Sequence, residues 1–122
     1  MHELGVATEL HRACRAEIEA RGGGRLVSVS VEVGELAGVE PALLGYAWEA
    51  VVAGTCDADA RLELHAIAAR QTCAQCGAVE GRQPGSWLRL CPRCRGPLRV
   101  DGGRELDVVQ LVHEVREPIS IS

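Results

Sequence analysis

Cys73-Ala74-Gln75-Cys76 and, after fourteen intervening residues, Cys91-Pro92-Arg93-Cys94 decide how this chain is built. Two residues between thiols let both sulfurs of one turn reach a single ion. Two such turns brought face to face give a closed tetrahedral S4 site, the geometry of structural zinc. Gly77, Pro92 and Gly96 flank the thiols and let backbone N–H groups turn toward them. Four cysteines have other chemistries. Disulfides belong to oxidising compartments, and a redox Cys-x-x-Cys opens a helix of a βαβ unit, which neither pair does. An iron site of the same geometry would have the same spacing. Zn(II) at Cys73, Cys76, Cys91 and Cys94 is the reading adopted. The surrounding residues 71–99 are rich in Cys, Gly, Pro and Arg and poor in aliphatics, so this module is expected to need its metal to fold. Trp87–Leu90 and Pro97–Val100 are expected as the two strands of its ribbon.

Outward from the module the texture is that of an ordinary core. From Leu4 to about Arg21, Leu4, Ala7, Leu10, Cys14 and Ile18 recur at helical spacing, and Gly22-Gly23-Gly24 ends the helix. In Arg25–Gly34, Val27, Val29, Val31 and Val33 alternate with polar residues, the pattern of a half-buried strand. Pro41 suits the first turn of a second helix, where its missing N–H costs nothing; Leu44, Trp48 and Val52 follow on one stripe. Arg61–Ile67 reads as a second strand with Leu62, Leu64 and Ala66 on one face. Beyond the module, Glu105–Val115 reads as a third, whose change of phase at Val108-Val109 predicts a bulge or cover on both faces. The expected fold class is α/β: a small mixed layer of two helices on a roughly three-stranded sheet, with an inserted zinc-ribbon module. The expected domains are 1–70 plus 100–116, the module 71–99, and a flexible tail 117–122.

Composition removes several functions. Among 122 residues, thirteen bases against seventeen acids leave a net charge of −4, so a bulk phosphate-neutralising face for nucleic acid is not expected. All thirteen bases are arginine, which excludes a P-loop lysine and Schiff-base chemistry. No apolar run reaches the ~18–20 residues of a membrane span, and no secretory signal opens the chain; a cytoplasmic protein is expected. There is no nucleophile elbow, no His-Glu-x-x-His and no supported acid pair, so no enzyme is expected. Arg82, Arg89, Arg93, Arg95 and Arg99 form a local basic cluster. Only Trp87 accompanies it, short of the aromatic platform a single-strand binder uses.

The chain start has a chemistry of its own. The Met1 amine, the His2 amide and ring nitrogens and the Glu3 amide can close adjoining chelate rings around one ion, a planar nitrogen set suited to Ni(II) or Cu(II). A solvated terminus is the plainer reading of the same residues, and Glu3 serves equally as an acid in a helix's first turn. His11, His65 and His113 share no metal spacing and read as structural. Glu35 and Glu40 read as solvated loop acids, either of them an extra oxygen ligand if its loop lies near the N-terminus. Cys14 falls on an apolar stripe, and Cys56 in a turn.

Taken together, Met1-His2-Glu3-Leu4, Gly34-Glu35-Leu36-Ala37-Gly38-Val39-Glu40-Pro41, the four cysteines and Gly102-Gly103-Arg104-Glu105-Leu106 resemble the HypA family of nickel metallochaperones, over about residues 1–116. The resemblance implies Ni(II) at His2 with Met1 and Glu3 beside it, and Zn(II) at the four cysteines. It implies delivery with the GTPase HypB to the hydrogenase large subunit, and it leaves monomer and homodimer both open. The alternative from another class is a zinc-ribbon adaptor that binds a protein partner and never handles nickel.

Overall fold

The computed structural model describes residues 2–115; Met1 and the expected tail at 117–122 lie outside the described residues. The order is α1 (His2–Ala20), β1 (Gly24–Gly34), α2 (Pro41–Val52), β2 (Arg61–Ile67), β3 (Arg70–Cys73), β4 (Gly77–Ala78), β5 (Leu98–Asp101) and β6 (Leu106–Val115). Two helices accompany one three-stranded sheet ordered β2-β1-β6, and the metal module carries a second ordered β4-β3-β5, in keeping with the expected fold class. The chain divides into two compact units. Among the described residues, the first takes in residues 2–31, 39–64 and 108–115, and the second residues 32–38 and 65–107.

In the first unit α1 buries Glu3, Ala7, Cys14 and Ile18, one stripe at helical spacing. It closes as Gly23 donates its N–H to the Ile18 carbonyl at 2.9 Å, with Gly22, Gly23 and Gly24 all at positive φ where glycine carries no Cβ penalty. Helix α2 starts on Pro41 and buries Leu44, Trp48 and Val52 at successive turns. The Trp48 indole N–H donates to the Ala60 carbonyl at 3.0 Å, which satisfies the ring's one polar atom inside the core. As the middle strand, β1 buries Leu26, Val29 and Val31, and also Ser28 and Ser30. The Ser30 hydroxyl donates to Glu63 at 3.0 Å. The contacts Ser30–Glu63 and Glu35–Ile67 fall in the same order along β1 and β2, as a parallel strand–helix–strand unit requires. Arg25–Glu114 and Gly34–Glu105 fall in opposite order along β1 and β6, so that pair is antiparallel.

Strand β6 departs from expectation. Only Leu111 and His113, on one face, are half-buried, and its other eight residues are exposed, Val109 at 52% and Val115 at 66% among them. The strand lies at the sheet edge, where one flank has no neighbouring strand whose side chains could add cover. On β2, Leu62 and Leu64 are half-buried as read, but Ala66 is exposed.

In the second unit β3 pairs antiparallel with β4 and β5, setting Cys73 opposite both Gly77 and Leu98, and Arg70 opposite Asp101. The expected ribbon is thus corrected. The strand at 98–101 takes its partner from before the first cysteine pair, and Trp87–Leu90 is not a strand. Instead the Gln71 side chain binds both backbone groups of Leu88, donating to its carbonyl at 2.8 Å and accepting its N–H at 3.0 Å. Gly34 and Gly103 pass so closely that a Cβ on Gly34 would lie 2.2 Å from the Gly103 carbonyl carbon.

Candidate metal centre

The two cysteine turns are built alike, from backbone N–H groups aimed at sulfur. Cys73 ends β3, and the chain turns back at Gly77, at φ +84°, into β4. The N–H groups of Cys76 and then Gln75 pull the Cys73 thiol below its ordinary pKa. In the second turn Cys91 N–H donates to the Gly96 carbonyl at 2.9 Å and Arg95 N–H to the Cys91 carbonyl at 2.8 Å. Arg95 sits at φ +61°, a left-handed conformation uncommon for a residue with a Cβ. The N–H groups of Cys94 and Arg93 lower Cys91 to about 7, and Gly96 N–H lies 3.3 Å from the Cys94 sulfur.

All four sulfurs lie within 4.8 Å of one another, with Cys73 and Cys94 at 3.5 Å. A tetrahedron with Zn–S bonds of ~2.3 Å has edges of about 3.8 Å, so the donor set fits such an ion. The electrostatics agree. Cys76 is pushed up to about 12, chiefly by the sulfur of Cys94 and then by burial, because thiolates this close cannot all ionise without a cation between them. Cys73 and Cys91 are buried, Cys76 half-buried and Cys94 exposed. Among the described residues this is the one group of three or more His, Cys, Asp or Glu side chains close enough to share an ion.

The other predicted residues are placed as follows. His2 opens α1 with its side chain about half exposed, its Nε2 3.9 Å from Glu3 Oε2. Glu3 is more than a first-turn acid. It is buried, and its Oε2 accepts the Glu40 N–H at 3.1 Å, which holds its pKa below the ordinary value. That bond ties the first turn of α1 to the residue that precedes α2. Met1 lies outside the described residues. Cys14 is buried as expected, and burial raises it to about 11; Cys56 is exposed.

Glu35, read as a solvated loop acid, is a clasp. Its carboxylate accepts the Ala69 N–H at 3.0 Å, the Arg82 guanidinium at 2.6 Å and the Gly85 N–H, and Arg82 first of all holds it down at about 2. Arg82 also donates to the Ala69 carbonyl at 2.6 Å and lies 4.2 Å above the Trp87 ring. Asp57 was missed altogether. Fully buried, it accepts from the Leu26 N–H at 2.8 Å and from His11 Nε2 at 2.7 Å, with Arg15 at 3.3 Å. The turn that follows Gly54 was its only signal.

The HypA family model, described as hydrogenase/urease nickel incorporation, metallochaperone, matches residues 1–113. The hydrogenase maturation factor HypA of Geobacter sulfurreducens is 33% identical over 112 residues, 91% of this chain and 97% of that one. Its counterpart in Streptomyces avermitilis is 38% identical over 133 aligned positions, 98% of each chain. The solution structure of the Ni metallochaperone HypA from Helicobacter pylori, at 19% identity, aligns with 95% of this chain and 100% of its own at a TM-score of 0.62, which is a likeness of fold. With its sequence matched from the first residue to the last strand and its four cysteines gathered at one point, the chain belongs to the HypA family of hydrogenase and urease nickel-incorporation metallochaperones.

Proposed function

We propose that this chain carries Ni(II) during the maturation of [NiFe]-hydrogenase and holds a structural Zn(II) at Cys73, Cys76, Cys91 and Cys94. The observation that carries the reading is the family match over residues 1–113, which takes in Met1-His2-Glu3 and favours it over an adaptor that never handles nickel. Nickel is cargo here and is held at the chain start. The donors are the Met1 amine, the His2 ring and backbone nitrogens of His2 and Glu3. A helix does not need its first N–H groups for its own ladder, so giving up an amide proton to solvent there breaks no helical bond. Glu3, anchored through the Glu40 N–H, fixes the turn that presents His2 and keeps a carboxylate beside it.

In the module the four thiolates bound to zinc cross-link two turns whose flanking strands are only two to four residues long. Residues 1–70 with 100–116 form the nickel-binding domain in this reading, and 71–99 the zinc module. A chain without lysine has no P-loop of its own, so nucleotide-driven transfer falls to a GTPase partner, HypB, with the hydrogenase large subunit as recipient in the cytoplasm. The test is a nickel titration of protein with its native start, of protein carrying extra residues before Met1, and of His2→Ala. Both changes should abolish or greatly weaken nickel binding while zinc stays near one per chain. An extended chain that binds nickel as tightly as the native one would overturn the site.

A further inference from the structure

Strand β5, Leu98-Arg99-Val100-Asp101, is the outer strand of the module's sheet, and its register fixes what it offers. Val79 donates its N–H to the Gln71 carbonyl at 2.9 Å, so the main-chain groups of Gln71 and Cys73 point to β4 and those of Arg70 and Thr72 to β5. Thr72 stands opposite Arg99, and Arg70 opposite Asp101. The N–H and C=O groups of Leu98 and Val100 therefore point outward from the sheet. The two faces beside that edge differ in chemistry. Val100 stands opposite Gln71 and shares its face, the face on which the Gln71 side chain holds the Leu88 main chain. Val100 and Leu88 are both exposed. On the other face Thr72 and Arg99 stand together and, with Ala74, Pro97 and Leu98, line a cavity of about 370 Å³. Arg99 bonds Asp101 through its Nε at 3.2 Å, and its two terminal nitrogens have no partner among the described residues.

We propose that this edge takes an extended segment of a partner protein, paired antiparallel with β5, that carries one acidic residue between two apolar ones. In strand addition the main chain supplies affinity and alternate side chains supply specificity. The apolar residues bond Leu98 and Val100 through their main chain and lie on the face of Val100 and Leu88. The acid between them stands opposite Arg99, whose free nitrogens fit a carboxylate. A second acid opposite Asp101 would be repelled, so one acid is wanted and not a run of them. An edge of four residues has outward groups at only two positions, too few to hold every strand alike, so the side chains choose. The sign of the partner agrees with the module. Residues 71–99 hold five arginines and one acid, Glu80, and stay net positive with the negative zinc–thiolate site counted, in a chain that is negative overall. A single-stranded nucleic acid fits less well, because it needs open aromatic faces and the Arg82 guanidinium already lies 4.2 Å above the Trp87 ring. The proposal rests on the module alone and stands whether or not nickel is held.

The test is an NMR titration of the full zinc-loaded chain, to millimolar concentration, with a capped peptide of threonine, valine, glutamate, valine and threonine in that order. The expected result is saturable shifts of the amides of β5 and Leu88, with slowed hydrogen exchange at the outward N–H groups of Leu98 and Val100. The same peptide N-methylated at both valines cannot donate to the edge and should bind at least about tenfold more weakly, as should one with lysine in place of glutamate. Arg99→Glu, checked for full zinc content, should reverse that preference and bind the lysine peptide better than the glutamate one. No saturable shift at β5 with the glutamate peptide overturns the proposal, as does binding indifferent to N-methylation. A preference for glutamate that survives Arg99→Glu overturns the role of Arg99. A single-stranded DNA oligomer that shifts the same amides at equal or lower concentration overturns the choice of a protein partner.

Discussion

Asp57 has no exposed surface, yet it stays ionised. Burial pushes its carboxyl up, but the Leu26 N–H, His11 and Arg15 outweigh that and bring its pKa below the ordinary value. Because an ionised carboxylate only accepts, His11 presents its Nε2 proton to it, and the imidazole stands edge-on to Trp48 at 5.8 Å. Asp57→Ala therefore strands a buried Leu26 N–H and should cost about 1–3 kcal/mol in a urea melt; an unchanged midpoint would show that the cluster does not matter to stability. Nothing local announces this residue, since its partners lie 31, 42 and 46 positions away. Glu35 was hidden in the same manner, 47 positions from Arg82. Its folded pKa of about 2 lies below the ordinary 4.5. Its contribution to stability is thus complete above the ordinary value and is lost as pH falls from there toward 2. A carboxyl-carbon NMR titration should place the Glu35 midpoint near that low value, and Arg82→Ala should move it up. A midpoint in the usual glutamate range in the parent protein would mean that the clasp does not form in solution.

Among the elements, those fixed by short-range pattern were readable. The Gly22-Gly23-Gly24 stop, Pro41 in a first turn and the valine alternation of β1 each depend on neighbours a few residues away. So does the cysteine quartet, whose Cys-x-x-Cys spacing sets the turn before any tertiary contact forms. Trp87-Leu88-Arg89-Leu90 alternates as a strand would, but the groups that bind Leu88 belong to Gln71, and alternation cannot reveal a side chain that replaces a neighbouring strand. The apolar run of β6 misled for the opposite reason: a covered strand and an edge strand can share one composition, and only the sheet order separates them. The module's own elements are short, with β4 two residues long and β3 and β5 four each, too short to stand without a cross-link. Cys91→Ser, or chelation of zinc, should therefore raise hydrogen exchange at 70–73 and 98–101 while α1, α2 and β1 keep their protection. Full zinc content in Cys91→Ser, or iron in place of zinc in the purified protein, would argue against the assignment.

At the scale of the whole molecule the chain itself links the two chemistries. The unit that holds the cysteines also contains residues 32–38, and with them the Glu35 clasp. Five residues later comes Glu40, whose N–H donates to Glu3 at 3.1 Å, one position from His2. A change in the clasp can therefore reach the first turn of α1 through a short covalent path, with no long-range field needed. The path begins at the cysteines: Cys73 closes β3, and Ala69, which donates to Glu35 and accepts from Arg82, immediately precedes that strand. Loss of zinc frees β3 and β5 and slackens Ala69 and Arg82, and the chain between Glu35 and Glu40 is the route by which that change can reach the Glu40–Glu3 bond. On the nickel site proposed for the chain start, binding should then weaken or exchange faster, since a looser first turn presents its donors less often in the binding geometry. The measurement is a pair of nickel isotherms with zinc-loaded and zinc-free protein, joined by a third with zinc-loaded Arg82→Ala. The expected order is tightest for the loaded parent, with Arg82→Ala shifted toward the zinc-free protein. Three superimposable isotherms would confine zinc to holding its own module and leave the clasp a matter of local stability.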